Sequence, residues 1–102
     1  MGGLASWNCC PMNKGELYKN LKAKELIVGD VNLAAEYFLF LNRIRCYEII
    51  RPNELIVYLD NHLVKNEKSR YSFLLIKILT SKGIVGWVSW NLNEWEKIKV
   101  CL

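Results

Sequence analysis

A chain of 102 residues, 52% of them hydrophobic and 24% charged, is sized for one domain that buries roughly two thirds of the surface its unfolded form exposes. Its formal charge of +4 comes from fourteen basic and ten acidic side chains scattered along the sequence, which is well short of the dense basic stripe of a dedicated nucleic-acid binder. The longest apolar region, 31–41, is broken by Asn32 and Glu36 and falls short of the ~20 residues a membrane-spanning helix requires.

Residues 1–14 carry two glycines, a proline and no periodicity, and read as an N-terminal tail ahead of a folded domain over 15–102. Met1-Gly2-Gly3-Leu4-Ala5-Ser6 fits the loose N-myristoylation pattern, for which a plain leader is the simpler reading. No basic stretch followed by a continuous apolar run opens the chain, so the expected setting is the cytoplasm. Trp7, isolated in this tail, is a pointer to self-association, because an indole left in water forfeits a large apolar burial. The four cysteines, Cys9, Cys10, Cys46 and Cys101, lack the Cys-x-x-Cys spacing of a zinc site. They are expected to be reduced thiols, with Cys46 a small core residue.

From Gly15 the pattern turns to short strands. Residues 16–22 partly alternate, and Glu25-Leu26-Ile27-Val28 is a brief apolar run closed by Gly29-Asp30, a turn signal. In 31–50, Val31, Ala34, Ala35, Phe38 and Leu41 fall at helical spacing, while Tyr37-Phe38-Leu39-Phe40-Leu41 is also strand material. Two strands of a long loop are expected there. Arg51-Pro52-Asn53-Glu54 is a turn, Leu55 to Leu59 a strand, and 61–70 a charged loop. Tyr71 to Leu79 and Ile84 to Trp90 pair through Ser81-Lys82-Gly83, where glycine supplies positive φ. Asn91 caps one helical turn, and 96–100 alternates as a closing strand. The expectation is all-β: a small barrel of five to six short strands with one 3-10 helical turn.

Strand parity adds detail. Ile76 and Ile78 oppose Leu75, Lys77 and Leu79, and Lys77 wants water, so the isoleucines point inward and Phe73, Leu75 and Leu79 outward. Ile84, Gly86 and Val88 likewise oppose Val85 and Trp87. The outer face is then either an apolar interaction patch or a second small core covered by the long first loop with its Phe38, Phe40 and Leu41.

Residues 51–100 resemble the second half of an SH3 or bacterial SH3-like barrel. Arg51 to Val57 sits at the diverging turn and second strand. Lys77 to Val88, ending in Gly86-Trp87-Val88, sits at the third strand, distal hairpin and fourth strand, and Ser89-Trp90-Asn91-Leu92 at the family's Pro-Ser-Asn-Tyr position. The resemblance implies a groove in which Trp87 and Asn91 match an aromatic and an asparagine. Leu75, Leu92 and Ser89 stand where a tryptophan, a tyrosine and a proline belong, and the Ala-Leu-Tyr-Asp-Tyr signature is absent. Proline-peptide binding of the family's usual kind is therefore not implied. Stand-alone small barrels of this sort also resemble short proteins of phage and environmental origin.

The chemistry of an enzyme is not evident. His62, the single histidine, lies in Asp60-Asn61-His62, which could orient it only if both side chains left one strand face; a solvated histidine is the simpler reading. No phosphate-binding glycine loop is present, and no cofactor or metal is implied. The expected function is a non-enzymatic protein or peptide interaction module or assembly component, its partner a protein, a peptide or a second copy of the chain, with Tyr71, Phe73, Leu75, Trp87, Trp90 and Asn91 as binding residues and Trp95 beside them. The alternative is single-stranded nucleic acid, with Lys65, Lys68, Arg70, Lys77 and Lys82 on phosphates and Tyr71 or Trp87 stacking bases.

Overall fold

The computed structural model describes residues 12–40, 47–66, 71–91 and 93–98. They form seven strands and one helix: β1 (Leu17–Asn20), β2 (Lys24–Ile27), α1 (Val31–Phe40), β3 (Tyr47–Ile50), β4 (Leu55–Asn66), β5 (Tyr71–Thr80), β6 (Val85–Ser89) and β7 (Trp95–Lys97). The strands make one antiparallel sheet in the order β3-β2-β6-β5-β4-β1-β7, curled into a half-barrel. The fold is all-β, with seven strands where the sequence suggested five or six. Asn93 and Glu94 lie in a turn and a bend rather than a 3-10 helix, with Leu92 outside the described residues.

The concave side holds the larger core. Met12, Tyr18, Leu26, Ile50, Ile56, Tyr58, Ile76, Ile78 and Val88 are buried together, with Ile84, Trp90 and Trp95 packed against them. Every strand from β1 to β6 contributes, and the inward isoleucines of β5 are where alternation puts them.

Residues 31–40 are helical, not the strand and loop the aromatic density suggested. The Asp30 carboxylate accepts the Leu33 N–H at 2.8 Å, satisfying a donor that the first helical turn leaves free. Ala34 and Tyr37 face the sheet while Asn32 and Glu36 face water. What decided against a strand is the outer face of β5 and β6, which needs a cover. Ala34 and Tyr37 are buried there with Ile27, Val64, Leu75 and Trp87, flanked by Phe38 and Phe73. Phe38 meets Phe73 edge-on, with centroids 6.5 Å apart. The side chain of Phe40, and Leu41 altogether, lie outside the described residues.

Of the charged loop expected over 61–70, residues 61–66 are strand instead, because β4 continues to Asn66 along a row of β5 partners, and 67–70 lie outside the described residues. A bulge between Tyr58 and Asp60 makes this extension useful. Strict alternation would put Ile56, Tyr58, Asp60, His62 and Val64 on one face. The extra residue, Leu59, switches the last three, so Ile56 and Tyr58 serve the concave core and Val64 the helix-covered one.

Gly86-Trp87-Val88 is divided among three tasks. Trp87 goes under α1 and Val88 into the concave core. A Cβ on Gly86 would lie 2.8 Å from the Ile27 carbonyl oxygen and 2.8 Å from Leu26 Cγ, so only glycine lets β2 come this close to β6. At the hairpin, Gly83 has φ of 82°, as the tight turn requires.

Candidate functional site

A cleft of about 270 Å³ opens at one end of the half-barrel, lined by Met12, Asn13, Tyr18, Trp90, Asn91, Asn93, Trp95 and Lys97. Local chemistry at the start of the chain builds one wall. Gly15 N–H donates to the Tyr58 carbonyl at 2.7 Å, and Asn13 ties back to Glu16 through its side-chain amide at 2.9 Å. The Asn13 backbone N–H donates to the Tyr18 hydroxyl at 2.7 Å. Together these bonds fold Met12 inward beside Tyr18.

The opposite wall comes from the far end of the chain. β6 ends where Trp90 N–H donates to the Leu74 carbonyl at 2.9 Å. Asn93, with φ of 70°, reverses the chain, and β7 then pairs with β1 in the register Tyr18↔Lys97 and Asn20↔Trp95. Asparagine tolerates that left-handed conformation better than most side chains.

Side chains, rather than a strand ladder, hold the end strand β7 toward β2. Lys24 is almost fully buried; its ammonium donates to the Ser89 carbonyl at 2.8 Å, pairs with Glu94, and lies 5.8 Å from the Trp95 ring centroid. Asn20 bridges to the β3–β4 turn, donating to the Arg51 carbonyl at 2.9 Å. A buried ammonium is tolerable because it is paired, hydrogen-bonded and set against an indole. At the cleft edge Lys97 and Glu16 pair at 3.0 Å. That contact raises the Lys97 ammonium above its ordinary range. With help from Asn13, it lowers the Glu16 carboxyl.

Of the residues singled out in the sequence, Trp90, Asn91 and Trp95 meet in this cleft. Leu75 is fully buried and Trp87 is 7% exposed, both under α1. Phe73 is half-buried in the same layer, and the side chain of Tyr71 lies outside the described residues. Leu75, Phe73 and Trp87 are thus on the other side of the sheet from the cleft core. Met12, Tyr18, Asn93 and Lys97 were missed because nothing local marks them. They reach the site through the β1–β7 pairing and the turn before β1, which join segments far apart in sequence.

Asp60 and His62 do leave β4 on one face, the outer one to which the bulge turns both. The Asp60 carboxylate is nevertheless engaged by the Asn61 N–H at 2.8 Å and by Lys14 at 3.1 Å. His62 is exposed, with its ring edge-on to Trp87 at 6.5 Å. Among the described residues no three His, Cys, Asp or Glu side chains cluster as a metal site; all four cysteines lie outside them. Lys65 and Lys82 are exposed at opposite ends of the β4–β5 hairpin, Lys77 sits 5.9 Å from the Trp87 ring, and Lys68 and Arg70 are outside the described residues. No helix among the described residues is long and apolar enough to cross a membrane. No family model matches the chain, and comparisons with curated proteins and with solved structures return no match.

Proposed function

We propose that this chain is a non-enzymatic interaction module on an SH3-like barrel, docking an extended protein or peptide segment in the cleft between Tyr18, Trp90 and Trp95. The observation that carries this reading is the cleft itself: two indoles, a phenol and a thioether converge around it with asparagines at the rim. Rings that offer large apolar area with a polar handle are the usual anchors of protein interfaces. At about 270 Å³ it falls below the roughly 300–1,000 Å³ of pockets that enclose whole small molecules, which suits one or two side chains of a longer partner. The SH3-like assignment draws on the strand order beyond Arg51 and on Gly86-Trp87-Val88. The cleft, however, is built from residues 12–18 and 90–97, and of the family's groove positions it takes in Asn91 but not Trp87.

The test is selection of peptides from a random display library on the purified protein, followed by titration against Trp90→Ala and Asn91→Ala. The expected result is an enriched peptide that loses at least about tenfold in affinity with Trp90→Ala, with the circular dichroism spectrum retained. Asn91→Ala, an exposed position, gives a smaller loss and covers the case in which Trp90→Ala unfolds. Enriched peptides that bind both variants as well as the parent would overturn the reading. So would salt-sensitive binding of a single-stranded oligonucleotide that excludes peptide.

A further inference from the structure

We infer that the docked segment adds to the free edge of β7 as a further antiparallel strand, read through its backbone, with every second side chain entering the cleft; this rests on the cleft being the docking site. β7 ends the sheet among the described residues, so one side of its backbone faces β1 and the other faces no strand. The register decides which groups are free. The Ile98 N–H donates to the Leu17 carbonyl at 3.0 Å and the Leu21 N–H to the Glu94 carbonyl at 2.9 Å. Opposed residues of an antiparallel pair alternate between hydrogen-bonded and not, so Lys19↔Glu96, midway between those two, is bonded. Tyr18↔Lys97 and Asn20↔Trp95 are then the pairs that are not. The backbone N–H and C=O of Trp95 and Lys97 therefore point away from β1, and they take no backbone partner among the described residues.

The same two residues line the cleft. An antiparallel strand laid against β7 would bond through the residues directly opposite Trp95 and Lys97, and opposed residues send their side chains to the same face. That face is the one Tyr18 occupies in register with Lys97. Backbone and cleft thus read the same alternate residues of the segment, the division by which an added strand gains affinity from main-chain bonds and selectivity from pockets. The other end of the sheet, β3, offers no such edge. Exposed Glu48, opposite Leu26, sets a carboxylate on its concave face, a device that discourages strand pairing, and the cleft does not reach it.

The experiment follows amide exchange of the ¹⁵N-labelled full chain with and without the peptide selected from the display library. In the free protein the Trp95 and Lys97 amides should exchange faster than those of Glu96 and Ile98, which β1 holds. Saturating peptide should slow Trp95 and Lys97 at least about tenfold and leave Glu96 unchanged. N-methylating the peptide one residue at a time should weaken binding at least about tenfold at two positions separated by one tolerant residue. Lys97→Pro removes the outward N–H from an edge where proline is accepted. It should bind at least about tenfold more weakly than Lys97→Ala, which loses the same side chain and keeps the N–H. Should Lys97→Pro unfold, the exchange rates and the N-methyl series decide. Trp95 and Lys97 amides already as slow as Glu96 in the free protein would overturn strand addition. A peptide that depends on Trp90 yet leaves those amides unprotected, or tolerates N-methylation throughout, would overturn it and leave the docking site standing. If no peptide is enriched, the inference and the docking site fall together.

Discussion

The two sides of the sheet are stabilised in different ways. On the concave side nine buried residues from β1 to β6 and the turn before β1 enclose one another, so each is held from several directions. On the outer side a ten-residue helix lies on β2 and β6, pinned by the Asp30 cap and by the Tyr37 hydroxyl on Glu25. β5 belongs to both: Leu74, Leu75, Ile76 and Ile78 are all nearly or fully buried. Adjacent residues of one strand therefore report on two cores, one bounded by a curved sheet and one by a single removable element.

That arrangement sets the largest prediction. Ile76→Ala and Leu75→Ala remove similar side chains from neighbouring, fully buried positions, and large-to-small core changes cost about 2–5 kcal/mol. Ile76→Ala should fall at the upper end, since its neighbours on six strands cannot collapse into the space. Leu75→Ala should fall near the lower end, because α1 can settle. Urea unfolding followed by circular dichroism measures both. A larger loss for Leu75→Ala would mean that the helix is as tightly built in as the strands.

Gly86→Ala strains both sides at once, since β2 sends Leu26 into the concave core and Ile27 under the helix. The added Cβ meets a backbone oxygen, which cannot swing away as a side chain would. Overpacking of this kind costs about 1–3 kcal/mol, read from the same unfolding curves. A variant as stable as the parent would show that β2 can slide from β6 freely.

The inner core was legible because alternation is a local property: Lys77 on one side of β5 placed Ile76 and Ile78 on the other. The helix was not, although the near-continuous run Phe73 to Leu79 carried a usable signal. A strand apolar at nearly every position is buried on both faces, so something had to cover Leu75, and 31–40 was the one long apolar stretch available. Local composition failed there because Tyr37 to Phe40 suits either structure, and the choice was made by the sheet beneath. The bulge at Leu59 was invisible, since it depends on β5 as a partner. Within the cleft, Trp90 and Asn91 were found through the motif that ends β6. Tyr18 and Met12 required knowledge that β1 pairs with β7.

Weakening only the helix sharpens the contrast at lower energy. Asp30→Ala removes the acceptor for Leu33 N–H, a change that costs about 1 kcal/mol at a helix start. Hydrogen exchange should then quicken at the α1 amides and leave those of Ile76 and Ile78 unchanged. Equal acceleration in β5 would show that the helix and the concave core open as one unit.

The smallest effect lies at the bulge, where β4 passes from one core to the other. The Asn61 backbone N–H first, and Lys14 second, hold the Asp60 carboxyl below its ordinary value of 3.8, with Lys77 adding slightly. A carboxyl lowered by folding stabilises the native state above that ordinary value, and the contribution is lost as pH falls through the lower, folded one. Asp60 is about half exposed, so the contribution is modest and screened by salt. Urea midpoints measured from about pH 5 down to pH 2 should therefore fall a little less steeply in Asp60→Asn than in the parent. The residual slope of the variant belongs to groups such as Glu16, whose carboxyl is also lowered. Identical slopes in the two proteins would mean that the bulge is held by the β4–β5 ladder alone, with the Asp60 charge playing no part in carrying β4 across the two faces.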